Sequence, residues 1–274
     1  MNPSASPARL HVLMAREAPF GLILRRGPRH QVCTIGWNRT NDTFALGQWL
    51  RARISELESD LSPDGRHFIY SAARYKPGAD IGHWTALSRA PFLKAIGFWP
   101  RGDTRLGGGF FPDNKTFWLN AKTVDKQLPD GLTRAMLDVE WHFGIETHDV
   151  FALRLRRDGW MLQGTSVYPR QAPAEEVLWT KTRNAWTLSQ FMRSDSEPPP
   201  GRGHSWQWFR ANNAQTGETL GDQSWEWADF DGDRLVWAQH GKLFTTKIWD
   251  GGHGDIIELA DFNDWKFQNI VAPY

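Results

Sequence analysis

The stretch DLSPDGRHFIYSA, residues 60–72, constrains the fold most, because it places a turn between two runs that fit β-strands. Pro63 fixes φ at the second position of a turn, and the Asp-Gly that follows it tolerates the left-handed backbone that closes a tight hairpin. After the turn, Phe68 and Tyr70 point the same way in a period-two run. We therefore predict strand, tight turn and strand, with Phe68 and Tyr70 packed between sheets.

Turns of the same kind recur along the chain, each between short alternating apolar runs. They fall at Gly27-Pro28, Gly65, Pro112-Asp113-Asn114, Asp158-Gly159 and Asp231-Gly232. A further hairpin-like pair of runs flanks the loop at 197–203. Helical periodicity is best at 130–141, where we expect one short helix. The pattern predicts an all-β protein with at most one or two short helices.

The unit LSPDGRHFIYSA is similar to the repeat of TolB-like β-propellers, which reads Trp-Ser-Pro-Asp-Gly before a β-rich run, and FFPDNKTFWLN and ADFDGDRLVWA match it more loosely. The resemblance implies a β-propeller with blades of roughly 50 residues. That length gives five blades, or six if the loop at 197–203 marks another. Residues 44–66 and 83–100 also resemble a group of uncharacterised bacterial proteins, which implies no known activity.

The domain organisation that we predict is a flexible tail over 1–8 and a single propeller domain over 9–274. A propeller must pair its first and last blades, so we expect strands at 9–15 and 267–274 to close the ring. The alternatives are a two-sheet β-sandwich, or two small β domains joined near SDSEPPPGRG, residues 194–203, where proline disfavours helix and central strand.

The charge and the cysteine content of the chain limit its expected compartment and its expected partners. The net charge is +1, and no apolar run approaches the ~18 residues of a spanning helix. We expect a cytoplasmic monomer that binds neither nucleic acid nor membrane. Residues 218–266 carry 11 acidic and 4 basic side chains, which leaves 20 and 28 elsewhere. This acidic region is either a solvated edge or a docking surface for a basic partner. The one cysteine, Cys33, fits a strand and predicts a packed thiol.

The chain contains sixteen tryptophans, which is an unusual density. In a β protein such large rings fill gaps between sheets more often than they form platforms for sugars or bases. We predict that most of them are structural.

Candidate ligand-binding residues come from three segments. The loop at 73–84, after the SPDG hairpin, carries cationic and aromatic groups that suit a sugar, a nucleotide or an acidic peptide. At the loop GDTRLGGG, Arg101 and Arg105 accompany glycines, which fit a mobile loop or an approach of backbone N–H groups to an anion. The third segment holds two histidines beside acidic residues. The candidates are Arg74, Tyr75, Lys76, His83, Trp84, Arg101, Arg105, His142 and His148. We expect no cofactor and no metal, because histidine spacing follows no ligand pattern and the Asp-Gly of DFDGDR (229–234) is better explained as a hairpin turn.

The function that these features favour is a binding or scaffold module that uses loops on one propeller face for a protein or small polar ligand. The alternative is a glycan-processing hydrolase of the five-bladed type, with carboxylates in a central pocket. Its candidate carboxylates by residue type are Asp60, Glu140, Glu146 and Glu226.

Overall fold

A computed structural model describes residues 7–27, 31–74, 82–101, 107–120, 129–135, 149–163, 177–194 and 205–274. The described chain is 59 % strand, with one α-helix, so the all-β class predicted from the sequence is confirmed. It divides into two compact units. The first unit is Val12–Asp158 with Lys266–Tyr274, and the second is Gly159–Trp265 with the residues up to His11. No helix in the described residues is long and apolar enough to cross a membrane.

Three sheets, each formed by consecutive strands, precede the helix. The first has the order β1-β2-β3-β4: Arg9–Met14, Phe20–Gly27, Gln31–Asn38 and Thr43–Leu50. The second has the order β5-β6-β7-β8: Arg53–Leu61, His67–Ala73, His83–Arg89 and Ala95–Arg101. The third has the order β9-β10-β11: Gly109–Phe110, Thr116–Leu119 and Thr133–Arg134. The helix α1 is Asp149–Arg157.

Two sheets follow in the second unit. The fourth consists of β12 to β16 in chain order: Met161–Leu162, Val177–Arg183, Trp186–Ser194, Ser205–Asn213 and Thr219–Leu220. The fifth consists of β17 to β21: Trp225–Asp231, Arg234–Gln239, Lys242–Trp249, Gly252–His253 and Ile257–Asp261. Since β14 and β15 pair from Ser194↔Ser205 onward, the segment between them connects two strands of one sheet and is not a linker between domains.

The SPDG turn has the predicted geometry. The Gly65 amide donates to the Ser62 carbonyl oxygen at 2.8 Å, and Gly65 has φ +74°. Phe68 and Tyr70 are buried, with ring centroids 4.9 Å apart. They pack with residues of the first sheet such as Leu22 in one cluster. The hairpin and the packing of its two aromatic residues are therefore confirmed.

The tryptophans are mostly interior. Fifteen of the sixteen lie in the described residues, and ten of these are buried. Among the described tryptophans, Trp249 is exposed and retains 49 % of its accessible surface. Trp141 lies outside the described residues. The structural interpretation of the tryptophans is confirmed for the described chain.

The hairpin predicted at Asp158-Gly159 is wrong. Asp149–Arg157 is helical, the Asp158 amide still donates to the Arg154 carbonyl at 2.9 Å, and Gly159 follows at φ +85°. A glycine in the left-handed region ends a helix as readily as it closes a hairpin. The sequence correctly predicted that Gly159 adopts a positive φ, but this conformation ends a helix and does not close a hairpin.

The helix expected at 130–141 is also not observed where that segment is described. Pro129–Gly131 forms a single 3-10 turn in which Asp130 has φ +57°, and Thr133–Arg134 is a strand that pairs parallel to β10. Strand pairing overrides the local helical pattern here. The rest of the segment, 136–141, lies outside the described residues.

Ring closure by two terminal strands is not observed, since 267–274 contains no strand. This segment is fixed by side chains. The Tyr274 hydroxyl donates to the Lys94 carbonyl at 2.8 Å and accepts from the Arg89 amide at 3.0 Å. The Gln48 amide group donates to the Ile270 carbonyl at 2.8 Å. The C-terminal segment is therefore anchored in the first unit without joining a sheet.

Candidate functional site

A row of polar side chains crosses the second sheet at one end. The strand register aligns Arg53 with Ala73, Ala73 with His83, and His83 with Arg101. Partners directly opposite each other in antiparallel strands point to the same face. Arg53, His83 and Arg101 therefore lie on one face, although they are up to 48 positions apart in sequence. Arg53 is exposed, and the other two are half-buried.

A buried carboxyl group, that of Glu58, accompanies this row. The β5–β6 register shifts between Ser55 and Asp60, so Glu58 lies in the irregular part of β5. Burial raises the pKa of Glu58, while hydrogen bonding from Ser71 and the charge of Arg101 lower it in part. The charge of Arg53 acts in the same direction as that of Arg101. The carboxyl group thus lies within electrostatic reach of both arginines of the row.

The glycines of GDTRLGGG pack against this cluster. The Gly108 amide donates to Thr85 Oγ1 at 2.9 Å, and a Cβ on Gly108 would overlap the Glu58 carbonyl oxygen. A Cβ on Gly107 would lie 2.6 Å from Ser71 Oγ. The Gly107–Gly108 backbone therefore needs glycine for close approach to the second sheet. This is a packing reason, whereas the sequence pattern allowed a mobile loop or an approach of the backbone to an anion.

The nine candidate residues predicted from the sequence do not all belong to this cluster. His83 and Arg101 belong to the row. Arg74 is exposed beside it, with its amide donating to the Gly82 carbonyl at 2.8 Å. Trp84 occupies the next position after His83 and packs with the cluster of Phe68, on the opposite face of the sheet. The remaining candidates, Tyr75, Lys76, Arg105, His142 and His148, lie outside the described residues.

Three participants were missed from the sequence, namely Arg53, Glu58 and Ser71. One signal was available for Glu58, since the run ELESD places Glu56, Glu58 and Asp60 at alternating positions of a strand. Acidic residues repeated along a strand whose neighbours are buried indicate an unusual environment.

The carboxylates proposed for hydrolysis are occupied by other contacts. Asp60 is fully buried and accepts from Arg157 Nη1 at 2.5 Å and Nη2 at 3.0 Å, and from the Phe111 amide at 2.8 Å. Burial raises the pKa of Asp60, and Arg157 opposes that shift. For Arg157, burial lowers the pKa, but Asp60 and Asp158 outweigh it and the net shift is upward. This pair attaches α1 to β5.

Glu226, in the second unit, is also engaged. One carboxylate oxygen accepts from the Leu10 amide at 2.9 Å, and Arg9 lies 3.9 Å from the other. Glu140 and Glu146 are outside the described residues.

The DFDGDR segment forms the hairpin turn predicted for it. Asp231 pairs with Arg234 across the turn, and Gly232 has φ +62°. Lys181 donates to Asp229 at 2.7 Å, so that carboxylate has a cationic partner. No group of three His, Cys, Asp or Glu residues in the described chain could hold a metal ion.

Cys33 is fully buried on β3, and burial raises its pKa to about 12. Such a thiol is protonated and inaccessible, so the prediction of a packed structural cysteine is confirmed.

Comparison with known proteins assigns no family to the chain. No family model matches the chain, and no curated protein matches it. It is similar to the 1.18 Å crystal structure of the uncharacterized protein lmo1340 from Listeria monocytogenes EGD-e, with a TM-score of 0.32 and 9 % identity. The similarity covers 91 % of this chain, which spans 66 % of that one.

Proposed function

We propose that the chain is a binding module for a small anion that carries carboxylate or phosphate groups, held at the row of Arg53, His83 and Arg101. The observation that carries the proposal is the cross-strand alignment of these three residues. Guanidinium groups bind carboxylate and phosphate through paired, charge-assisted hydrogen bonds. A rigid sheet fixes their spacing, which reduces the ordering cost of binding.

The register also limits the size of the ligand. Neighbouring strands lie about 4.8 Å apart, so the backbones of Arg53 and Arg101, three strand intervals apart, are separated by about 14 Å. His83 and Arg101 are on adjacent strands and can hold one anionic group between them. Arg53 can reach a second group of the same molecule. A compact polyanion fits this arrangement better than a single monovalent ion.

Glu58 is compatible with this ligand because burial disfavours its charged form. A carboxylate beside the site would repel an anion, but burial raises the pKa of Glu58 and favours its neutral form. A bound anion would raise that pKa further, so binding is accompanied by proton uptake only at a pH where Glu58 is ionised in the free protein.

At the level of the fold, we infer that the five sheets are the blades of a propeller. The support is that each sheet is built from consecutive strands and that the sheets follow one another along the chain. The TolB-like resemblance rests on the sequence motifs alone. The hydrolase alternative is less favoured, since Asp60 and Glu226 are both engaged in contacts within their own units. The compartment remains a sequence-based prediction.

A thermal-shift panel tests the binding proposal. Citrate and inorganic phosphate represent the carboxylate and phosphate arms, and glucose is a neutral control. We expect at least one anion to raise the melting temperature of the wild type, as a ligand specific for the native state must. The shift should be lost in Arg101→Gln and retained in Arg66→Gln, because the Arg66 side chain is 80 % exposed in the SPDG turn. Equal shifts in all three proteins would show a general salt effect and overturn the proposal.

A further inference from the structure

The strand β21 forms an outer edge of the fifth sheet. Among the described strands it pairs only with β19, from Lys242↔Asp261 to Thr245↔Ile257. The short strand β20 pairs with the other end of β19, at Ile248 and Trp249. An edge strand presents backbone N–H and C=O groups that can pair with another chain.

Large apolar side chains are exposed where this edge begins. Ile256 and Ile257 retain 53 % and 56 % exposure, and Trp249 retains 49 %. The Trp249 ring lies within van der Waals distance of the position that a Cβ on Gly254 would take, two residues before Ile256. These three side chains therefore belong to one corner of the sheet. Exposed apolar groups that cluster in this way are typical of interaction sites.

Acidic side chains outnumber basic ones around this corner. Residues 250–264 contain five acidic side chains and no lysine or arginine. Lys242, on β19, pairs with Glu258 at 2.9 Å and with Asp261 at 3.3 Å. Asp255 and Asp264 are exposed. A second lysine, Lys247, is exposed at the same corner, and the Gly254 amide donates to its carbonyl oxygen at 2.9 Å. Two lysines do not balance the five carboxylates, so the field at the edge favours a positively charged partner.

We propose that β21 is a docking edge for an extended basic segment of a partner protein, one in which apolar residues alternate with lysine or arginine. The segment adds to the sheet as a further strand through backbone hydrogen bonds. Its apolar side chains cover Ile257, and its basic side chains lie near the exposed carboxylates Asp255 and Asp264. This site is in the second unit, and its proposal does not depend on the row of Arg53, His83 and Arg101 in the first unit.

The test uses a fluorescent, end-capped peptide of about six residues in which valine and lysine alternate, close to the usual strand length. A peptide of alternating valine and glutamate is the control for charge. Binding is measured by fluorescence anisotropy at low and high salt. We expect the basic peptide to bind the wild type, and to bind more weakly at high salt because exposed charges are screened.

Two variants separate the apolar and the charged contributions. Ile257→Lys should lower the affinity about tenfold or more, since it removes an aliphatic side chain from the interface and adds a like charge. Asp255→Lys should lower the affinity and reduce its dependence on salt. The matched control is Val271→Lys, which makes the same change at a residue that is 82 % exposed in the first unit, and it should bind as the wild type does.

Several results would overturn the proposal. They are an absence of peptide binding, equal binding of the acidic peptide, unchanged affinity in Ile257→Lys, or an equal loss in Val271→Lys. A concentration-dependent dimer in gel filtration that Ile257→Lys dissociates would assign the edge to a second copy of the chain and would equally contradict a basic partner.

Discussion

Gly65 offers a test of how the SPDG turn stabilises the first unit. Its φ of +74° lies in the region that favours glycine. A Cβ added there would lie 2.8 Å from Phe20 Cδ1 and 3.3 Å from the Ala15 Cβ. The substitution Gly65→Ala therefore combines two costs, a strained backbone and an overpacked contact with Phe20.

The two costs can be separated within the same unit. Gly131 has φ +68°, close to that of Gly65, but a Cβ there would meet nothing within 4 Å. Gly131→Ala should therefore cost only the backbone strain, about 1–2 kcal/mol. Gly65→Ala should cost that amount plus about 1–3 kcal/mol for the contact with Phe20. Gly65→Val should be worse still, because a β-branched residue is a strong outlier at positive φ.

Urea-induced unfolding monitored by far-UV circular dichroism measures these differences. We expect Gly65→Ala to lower the free energy of unfolding by about 2 kcal/mol more than Gly131→Ala does, with similar m-values. Equal losses in the two variants would refute the packing argument. An unchanged stability of Gly65→Ala would refute the turn conformation itself.

Three further predictions concern other parts of the molecule. Hydrogen bonds from Arg89 and from His67 hold the pKa of Asp130 well below its usual range. The stability advantage of the wild type over Asp130→Asn should therefore be constant above the ordinary pKa of about 4 and should shrink as the pH falls below it. Thermal melts at a series of pH values measure this difference. Tyr274→Phe should lower the free energy of unfolding by about 1–2 kcal/mol, because it removes the hydroxyl that accepts from the Arg89 amide and donates to the Lys94 carbonyl; wild-type melting would contradict this anchor. Acrylamide should quench only a minority of the tryptophan fluorescence, since ten rings are buried, and quenching of nearly all of it would contradict the packing.

The hairpins were predictable because their signals are local. A turn such as that at Gly65 or Gly232 requires positive φ, and glycine after aspartate satisfies this requirement visibly in the sequence. The helix α1 was missed for an equally physical reason. Its buried face includes Arg154, whose guanidinium donates to the carbonyl oxygens of Glu56 and Ser59 at 3.0 and 2.5 Å, so a charged residue interrupts the apolar helical pattern.

The candidate site was only partly predictable. His83 and Arg101 were selected for their chemistry and loop context. Their alignment with Arg53 depends on the register of four strands, which no local pattern specifies. Glu58 lies in the irregular part of β5, and the alternating acidic residues of ELESD do not indicate which residues it meets. The prediction of a terminal strand at 267–274 was wrong because long-range contacts fix that segment. Tyr274 anchors it through hydrogen bonds to backbone groups of Arg89 and Lys94.

The central claim is that the cross-strand row of Arg53, His83 and Arg101 binds a compact polyanion. Isothermal titration calorimetry with citrate tests it most directly, using the wild type, Arg101→Gln and the control Arg66→Gln. The account predicts one saturable site in the wild type and in Arg66→Gln. It predicts an affinity at least about tenfold weaker in Arg101→Gln, since a charge-assisted bidentate contact is lost. Undetectable binding of both citrate and inorganic phosphate to the wild type, or equal affinity in Arg101→Gln, would contradict it.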